Sequence, residues 1–170
     1  MHMGYRKLLL TLCGILEAVI SITFLTQGTA FLGMLTLAAA ACALAAGLWR
    51  ANTRRSWLLI LNGLALATIG VIFNSLFRYR VSFRTIAFLL AVMALSNGLL
   101  ALQWSLRLAG SVSLGFALAL LALSLRWIPL GSGRLDLIWM GSFFGYSALC
   151  LMALVSVPGS RRVPTGRAWL

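Results

Sequence analysis

The chain reads as an all-α, polytopic membrane protein of six transmembrane helices in three tandem helix-pair repeats, and three observations carry that reading. Apolar residues fill 62% of its 170 positions and charged residues 9%, with a mean hydropathy of +1.01. A soluble chain of this size must cover its surface with polar groups, and two acidic plus fourteen basic side chains cannot do so. Apolar stretches of about 20 residues, the length that crosses a hydrocarbon core of about 30 Å, alternate with short charged or turn-forming segments. A spacing also recurs. Arg6, Gly14 and Ala18 are echoed by Arg55, Gly63 and Ala67 and again by Arg107, Gly115 and Ala119, which marks a unit repeated about every 50 residues.

The stretches follow in order. Leu8 to Leu25 lies behind Arg6 and Lys7 and carries Gly14 and Glu17. With Gly28, Thr29 and Ala30 after it, this segment imitates a secretory signal. It is expected to be retained, because Glu17 would sit awkwardly in a signal's apolar region and the segment matches the spacing of two later helices. Ala30 to Trp49 is rich in alanine and ends on Ala43 and Gly47, a small-xxx-small pair. Trp57 to Phe77 repeats the first pattern through Gly63 and Ala67, and Thr85 to Ser105 repeats the second through Ala94 and Gly98. Gly110 to Trp127 carries Gly115 and Ala119, and Leu135 to Val157 carries Gly141 and Gly145. Helix is favoured over strand, because long apolar runs must satisfy their backbone groups internally and barrel strands would alternate over about ten residues. One membrane domain, residues 1–157, therefore holds repeats at about 6–50, 55–106 and 107–157. Residues 158–170 form a short basic tail, in which Pro158, Gly159, Pro164 and Gly166 argue against a helix.

Basic residues set the expected orientation, since positively charged loops stay in the cytoplasm. With both termini inside, the cytoplasmic side holds Arg6, Lys7, Arg50, Arg54, Arg55, Arg107, Arg161, Arg162 and Arg167. The opposite side holds Arg78, Arg80, Arg84, Arg126 and Arg134. Trp49, Trp57, Tyr79, Trp104 and Trp127 end the stretches, as interfacial aromatics do. The expected location is the inner or plasma membrane, crossed several times. A net charge of +12 could suggest nucleic acid, but these arginines are spread over every connection and face both compartments. They read instead as topology signals and contacts to anionic lipid headgroups, so no nucleic-acid partner is expected.

Reaction chemistry lacks its parts. Cys13, Cys42 and Cys150 lie in three different stretches without a C-x-x-C, and the single histidine is His2, so no metal or cofactor is expected. There is no G-x-S-x-G, H-E-x-x-H or Walker loop, and Ser21, Ser96, Ser113 and Ser147 have no histidine partner. The chain is expected not to be an enzyme.

Two features remain. Small-xxx-small spacing lets helix backbones approach closely in lipid, where water drives no association. Gly14, Ala18, Gly47, Gly63, Ala67, Gly98, Gly115, Ala119, Gly141 and Gly145 are therefore expected to line packing seams, with a subunit interface or a narrow path as other uses. The second feature is Glu17, near the middle of its stretch, where a charge costs a few kcal/mol (about 3) on insertion scales. It must be neutral, paired or hydrated. Asn62 and Asn97, each directly before a repeat glycine, are candidate partners in a polar site that serves either assembly or a proton or solute path. Asp136 is expected at the interface.

The run Arg55-Ser56-Trp57-Leu58-Leu59-Ile60-Leu61-Asn62-Gly63, followed by Ile69-Gly70-Val71, resembles the repeat of the HdeD family, and the resemblance extends from Arg6 to Arg162. That family consists of small bacterial inner-membrane proteins linked to acid resistance, built from two-helix repeats that commonly number three. The resemblance implies six spans, a membrane location and a stress context, and it supplies no catalytic residues. The expected role is non-enzymatic support of the membrane, or of partner proteins, at low pH. A small channel or transporter using Glu17 and an assembly subunit of a membrane complex are the alternatives. A homo-oligomer or a membrane protein partner fits any of the three.

Overall fold

A computed structural model describes residues 2–26, 31–48, 54–74, 83–103, 106–125 and 133–156. Six α-helices occupy these segments: α1 His2–Leu25, α2 Leu32–Leu48, α3 Arg54–Asn74, α4 Phe83–Gln103, α5 Arg107–Ser124 and α6 Gly133–Ser156. No strand occurs among the described residues. Five of the helices are long and apolar enough to cross a membrane, and α2 is apolar but shorter, at 17 residues. The chain thus has the make-up of an integral membrane protein. Trp49, Tyr79, Trp104, Trp127, the Arg78 and Arg80 cluster, the Gly28 to Ala30 segment and the tail from Pro158 lie outside the described residues.

Helix boundaries differ from the apolar stretches in a regular way. The first helix starts at His2 rather than Leu8, the third at Arg54 rather than Trp57, and the fifth at Arg107 rather than Gly110. Arginine and lysine are good helix formers, and near a headgroup layer their charges need not interrupt the backbone ladder. Charged punctuation therefore marks the edge of the apolar run, and the helix continues through it.

Outward faces are apolar, and inward faces combine large apolar side chains with small and polar ones. On α1, Leu8, Leu12, Ile15, Val19 and Ile22 form an exposed stripe at helical spacing, while Cys13, Glu17, Ile20, Ser21 and Phe24 are buried. An apolar side chain gains nothing by leaving lipid for protein, so the interior selects for fit and for polar satisfaction. Several short hydroxyls on the helices are satisfied by their own helix. Thr11 donates to the Lys7 carbonyl at 2.9 Å, Thr68 to Leu64 at 2.9 Å and Ser96 to Met93 at 2.9 Å.

Packing follows the chain from α1 to α5, and α6 returns to close the bundle against α1, with smaller contacts to α4 and α5. The most extensive pairings are α2 with α3, α4 with α5, and α1 with α6. In terms of the sequence repeat these pairings join one unit to the next. A chain of aromatic rings binds one side of the bundle: Phe73 of α3 meets Phe24 of α1 edge-on at 5.8 Å, and Phe24 stacks on Phe144 of α6 at 5.7 Å. Phe143 meets Phe144 at 5.8 Å and Phe116 of α5 at 6.2 Å.

Candidate functional site

The glycines show how closely the helices approach. A Cβ placed on Gly63 of α3 would lie 2.7 Å from Leu44 Cγ and 3.0 Å from the Leu44 backbone nitrogen on α2. One on Gly70 would lie 2.8 Å from Leu37 Cγ, one on Gly47 2.8 Å from Ile60, and one on Gly33 2.8 Å from the Asn74 backbone nitrogen. Partner numbers fall along α2 as they rise along α3, so the two helices are antiparallel and in contact from Gly33 to Gly47. The α4–α5 seam is reciprocal: a Cβ on Gly98 would meet the Gly110 carbonyl at 3.3 Å, and one on Gly110 would meet the Gly98 carbonyl at 3.2 Å. At the α1–α6 seam, Gly141 faces Leu25, Gly145 faces the Ser21 hydroxyl, and Gly14 faces Ala148, Leu151 and Met152.

Two of these seams carry a hydrogen bond between helices. Ser113 of α5 donates to the Ala94 carbonyl of α4 at 2.8 Å, and Ser21 of α1 donates to the Gly141 carbonyl of α6 at 2.7 Å. Tyr146 of α6 donates its hydroxyl to the Ala109 carbonyl of α5.

One expected seam position is corrected. A Cβ on Gly115 would meet nothing within 4 Å, and the residue is exposed. The contact that the repeat assigned to Gly115 is made by Gly110, five residues earlier and so about 140° round the helix. Among the repeat alanines, Ala67 is half-buried and packs on the core, while Ala18 and Ala119 are half-buried. Gly33, Gly70 and Gly110 line seams without belonging to the spacing that singled out the others. Gly70 lies seven residues after Gly63, on the same helical face, and that interval is the signal that pointed to it.

Glu17 is fully buried, as are Asn62 and, to within 1%, Asn97. Four helices meet around the carboxyl. Cys13, one turn before it on α1, points its thiol at Glu17 Oε1 across 3.8 Å and at the Ala39 carbonyl of α2 across 3.5 Å. From α6, the Ser147 hydroxyl sits against the carboxyl. Asn97 of α4 donates from Nδ2 to that same Ser147 oxygen at 2.7 Å. Asn97 thus joins Glu17 through one intervening hydroxyl, as a second neighbour. Asn62 does not join it by any hydrogen bond, and both its polar atoms are buried without a partner. Two more buried atoms lack one: Glu17 Oε2 and Asn97 Oδ1, on either side of Ser147. Ser147 is the member that sequence reasoning misses. The sequence raises it only as a nucleophile without a histidine, and its interval of 50 residues from Asn97 is the available signal. The side chain of Asp136 lies outside the described residues.

Chemically the cluster offers a carboxyl, an amide, a hydroxyl and a thiol, with no imidazole or cation beside them among the described residues. No group of three or more metal-ligating side chains occurs among the described residues. An apolar groove of about 460 Å³ lies between α4 and α5, lined by Phe88, Val92, Leu95, Leu114, Leu118 and Leu121, and carries no polar group to orient a reactant. No family model, curated protein or solved structure matches the chain.

Proposed function

We propose that this chain is a six-span protein of the inner or plasma membrane, with both termini in the cytoplasm, that acts without catalysing a covalent reaction. Its role is to form a compact helical unit, of the HdeD type, that supports the membrane or a partner protein under acid stress. The observation that carries the reading is the set of glycine seams. Gly33, Gly47, Gly63 and Gly70 bring α2 and α3 within van der Waals contact of each other's backbone, which is how helices hold together when lipid supplies no hydrophobic drive. At 17 residues α2 falls at the short end of the spanning range. The HdeD assignment and the acid-stress context rest on the resemblance of the Arg55 to Gly63 repeat. The orientation rests on nine basic residues inside against five outside.

A second reading, a proton or solute pathway, is favoured by one observation, the unpartnered oxygens of Glu17 and Asn97 inside the bundle. Flux separates the two. Vesicles reconstituted with wild type and with Glu17→Gln are compared for proton and small-solute flux at external pH of about 3 to 7, a range around the ordinary glutamate value. The structural reading expects no flux above empty vesicles in either protein. Flux in wild type that is lost in Glu17→Gln would replace it with the transport reading.

A further inference from the structure

Glu17 needs a positive partner or a proton, and among the described residues its surroundings supply no cation. The ionisable side chain in contact with it is the Cys13 thiol on its own helix, and two more thiols, Cys150 of α6 and Cys42 of α2, interact electrostatically with Glu17 and Cys13 respectively. The neutral groups are Ser147 of α6 and, behind it, Asn97 of α4. Arg6 and Lys7 lie roughly 15 Å away along α1, at the helical rise of about 1.5 Å per residue, beyond the reach of either side chain. The cluster's unmet demand has one sign. Asn97 spends an N–H on Ser147, and the cluster keeps two buried acceptor oxygens, Glu17 Oε2 and Asn97 Oδ1, with no donor for either. Buried acceptors without donors cost free energy, more so when one belongs to a charge.

A single proton on Glu17 answers the demand of the carboxyl. It turns Oε2 from an orphaned acceptor into a donor, removes the charge, and adds an O–H to a cluster short of donors. We propose that Glu17 is a proton-binding site, occupied in the folded protein, in which the neutral carboxylic acid, linked through the Ser147 hydroxyl to Asn97, ties α1 to α6 and α4. The inference rests on the reading of these three helices as membrane-spanning. It also gives that reading a physical rationale, because a buried carboxyl that is already neutral has no charge to lose when the medium turns acid.

The test is infrared difference spectroscopy on wild type, Glu17→Gln and Ser147→Ala in lipid vesicles at neutral pH, with hydrogen–deuterium exchange to identify carboxyl bands. The wild type is expected to show the C=O stretch of a protonated carboxylic acid, absent from Glu17→Gln and moved to higher frequency in Ser147→Ala, where the neighbouring hydroxyl is gone. Glu17→Gln, which keeps shape and neutrality, is expected to melt within a few degrees of wild type. A carboxylate band assigned to Glu17 at neutral pH would overturn the proposal. Thermal stabilisation of wild type by sodium chloride over choline chloride, absent from Glu17→Gln, would also overturn it, by showing a metal ion where the proton is placed. An unmoved band in Ser147→Ala would remove Ser147 as the link from Glu17 to Asn97 and overturn that part. Alkaline carbonate washing of the same membranes keeps the two readings apart: release of the protein refutes the spanning reading, whereas an ionised Glu17 in protein that stays in the membrane refutes only the proton site.

Discussion

The α2–α3 seam and the α5–α6 face solve one packing problem in opposite ways. Between α2 and α3, Gly33, Gly47, Gly63 and Gly70 remove side chains so that Asn74, Ile60, Leu44 and Leu37 can reach the opposing backbone. Between α5 and α6 the helices make their smallest contact, and rings fill the gap. Phe116 stacks on Tyr146 at 5.3 Å and meets Trp139 edge-on at 6.4 Å. In water both surfaces would be stabilised mainly by burying apolar area. In lipid that contribution disappears, and what remains is the number of atoms at contact distance and the few hydrogen bonds made between helices. The glycine seam maximises the first without side-chain entropy, whereas the aromatic face keeps the helices apart and holds them with large, oriented contacts.

The largest expected break in this contrast is Gly63→Leu. The new Cβ alone would lie 2.7 Å from Leu44 Cγ and 3.0 Å from a backbone nitrogen, so α2 and α3 must separate along the seam. Overpacking costs about 1 to 3 kcal/mol and at times more, and here no flexible chain end can absorb all of it. Unfolding by denaturing detergent in mixed micelles is expected to show a loss of about 3 kcal/mol, or no folded form at all. An unchanged midpoint would mean that the seam does not hold the bundle together.

On the aromatic face, Phe116→Ala removes a ring engaged with Tyr146, Trp139 and Phe143. Aromatic pairs contribute about 0.5 to 1.5 kcal/mol each beyond their area, and they are not additive. Because Phe116 is half-buried, lipid can enter part of the space it leaves. A loss of about 1 to 2 kcal/mol in the same assay is expected, smaller than at Gly63. A loss equal to that of Gly63→Leu would make the α5–α6 face as important to the bundle as the glycine seam.

Most of the fold is legible in the sequence, because helix number and length depend on apolar runs and short connections, which are local properties. The partners of each helix are not. Nothing in the Arg-to-Gly-to-Ala spacing says that α2 packs chiefly on α3, or that α6 returns to α1, since each helix offers more than one small-residue face. The site shows the same limit. Glu17 is conspicuous as a carboxyl in an apolar run, but Ser147 is not, because a serine in a membrane helix ordinarily bonds its own helix, as Ser96 does with Met93. Only the meeting of α1, α4 and α6 makes it the link between Glu17 and Asn97. Asn62 and Asn97 share a sequence context, each directly before a repeat glycine, and differ in partners, because they sit on helices with different neighbours.

The smallest expected effect is the one that separates sequence equivalence from structural equivalence most sharply. Gly63 and Gly115 occupy the same place in the repeat, and the same substitution at the two should have opposite signs. At Gly63 an alanine methyl would press on Leu44 and cost stability, less than the leucine does. At Gly115 the methyl would enter open space, and two terms then favour it: alanine loses less backbone entropy than glycine on entering a helix, and it shields the peptide groups beside it. Glycine in a helix interior is less stable than alanine by roughly 0.5 to 1 kcal/mol, so Gly115→Ala is expected to raise the unfolding midpoint by about that amount. If it lowered stability instead, α5 would have to press that face against something the single chain does not provide, and a second copy or a partner helix would be the place to look. Phe88, Leu95 and Leu118 already line an open apolar groove between α4 and α5. The sign of this one small change therefore reports whether α5 ends at lipid or at protein.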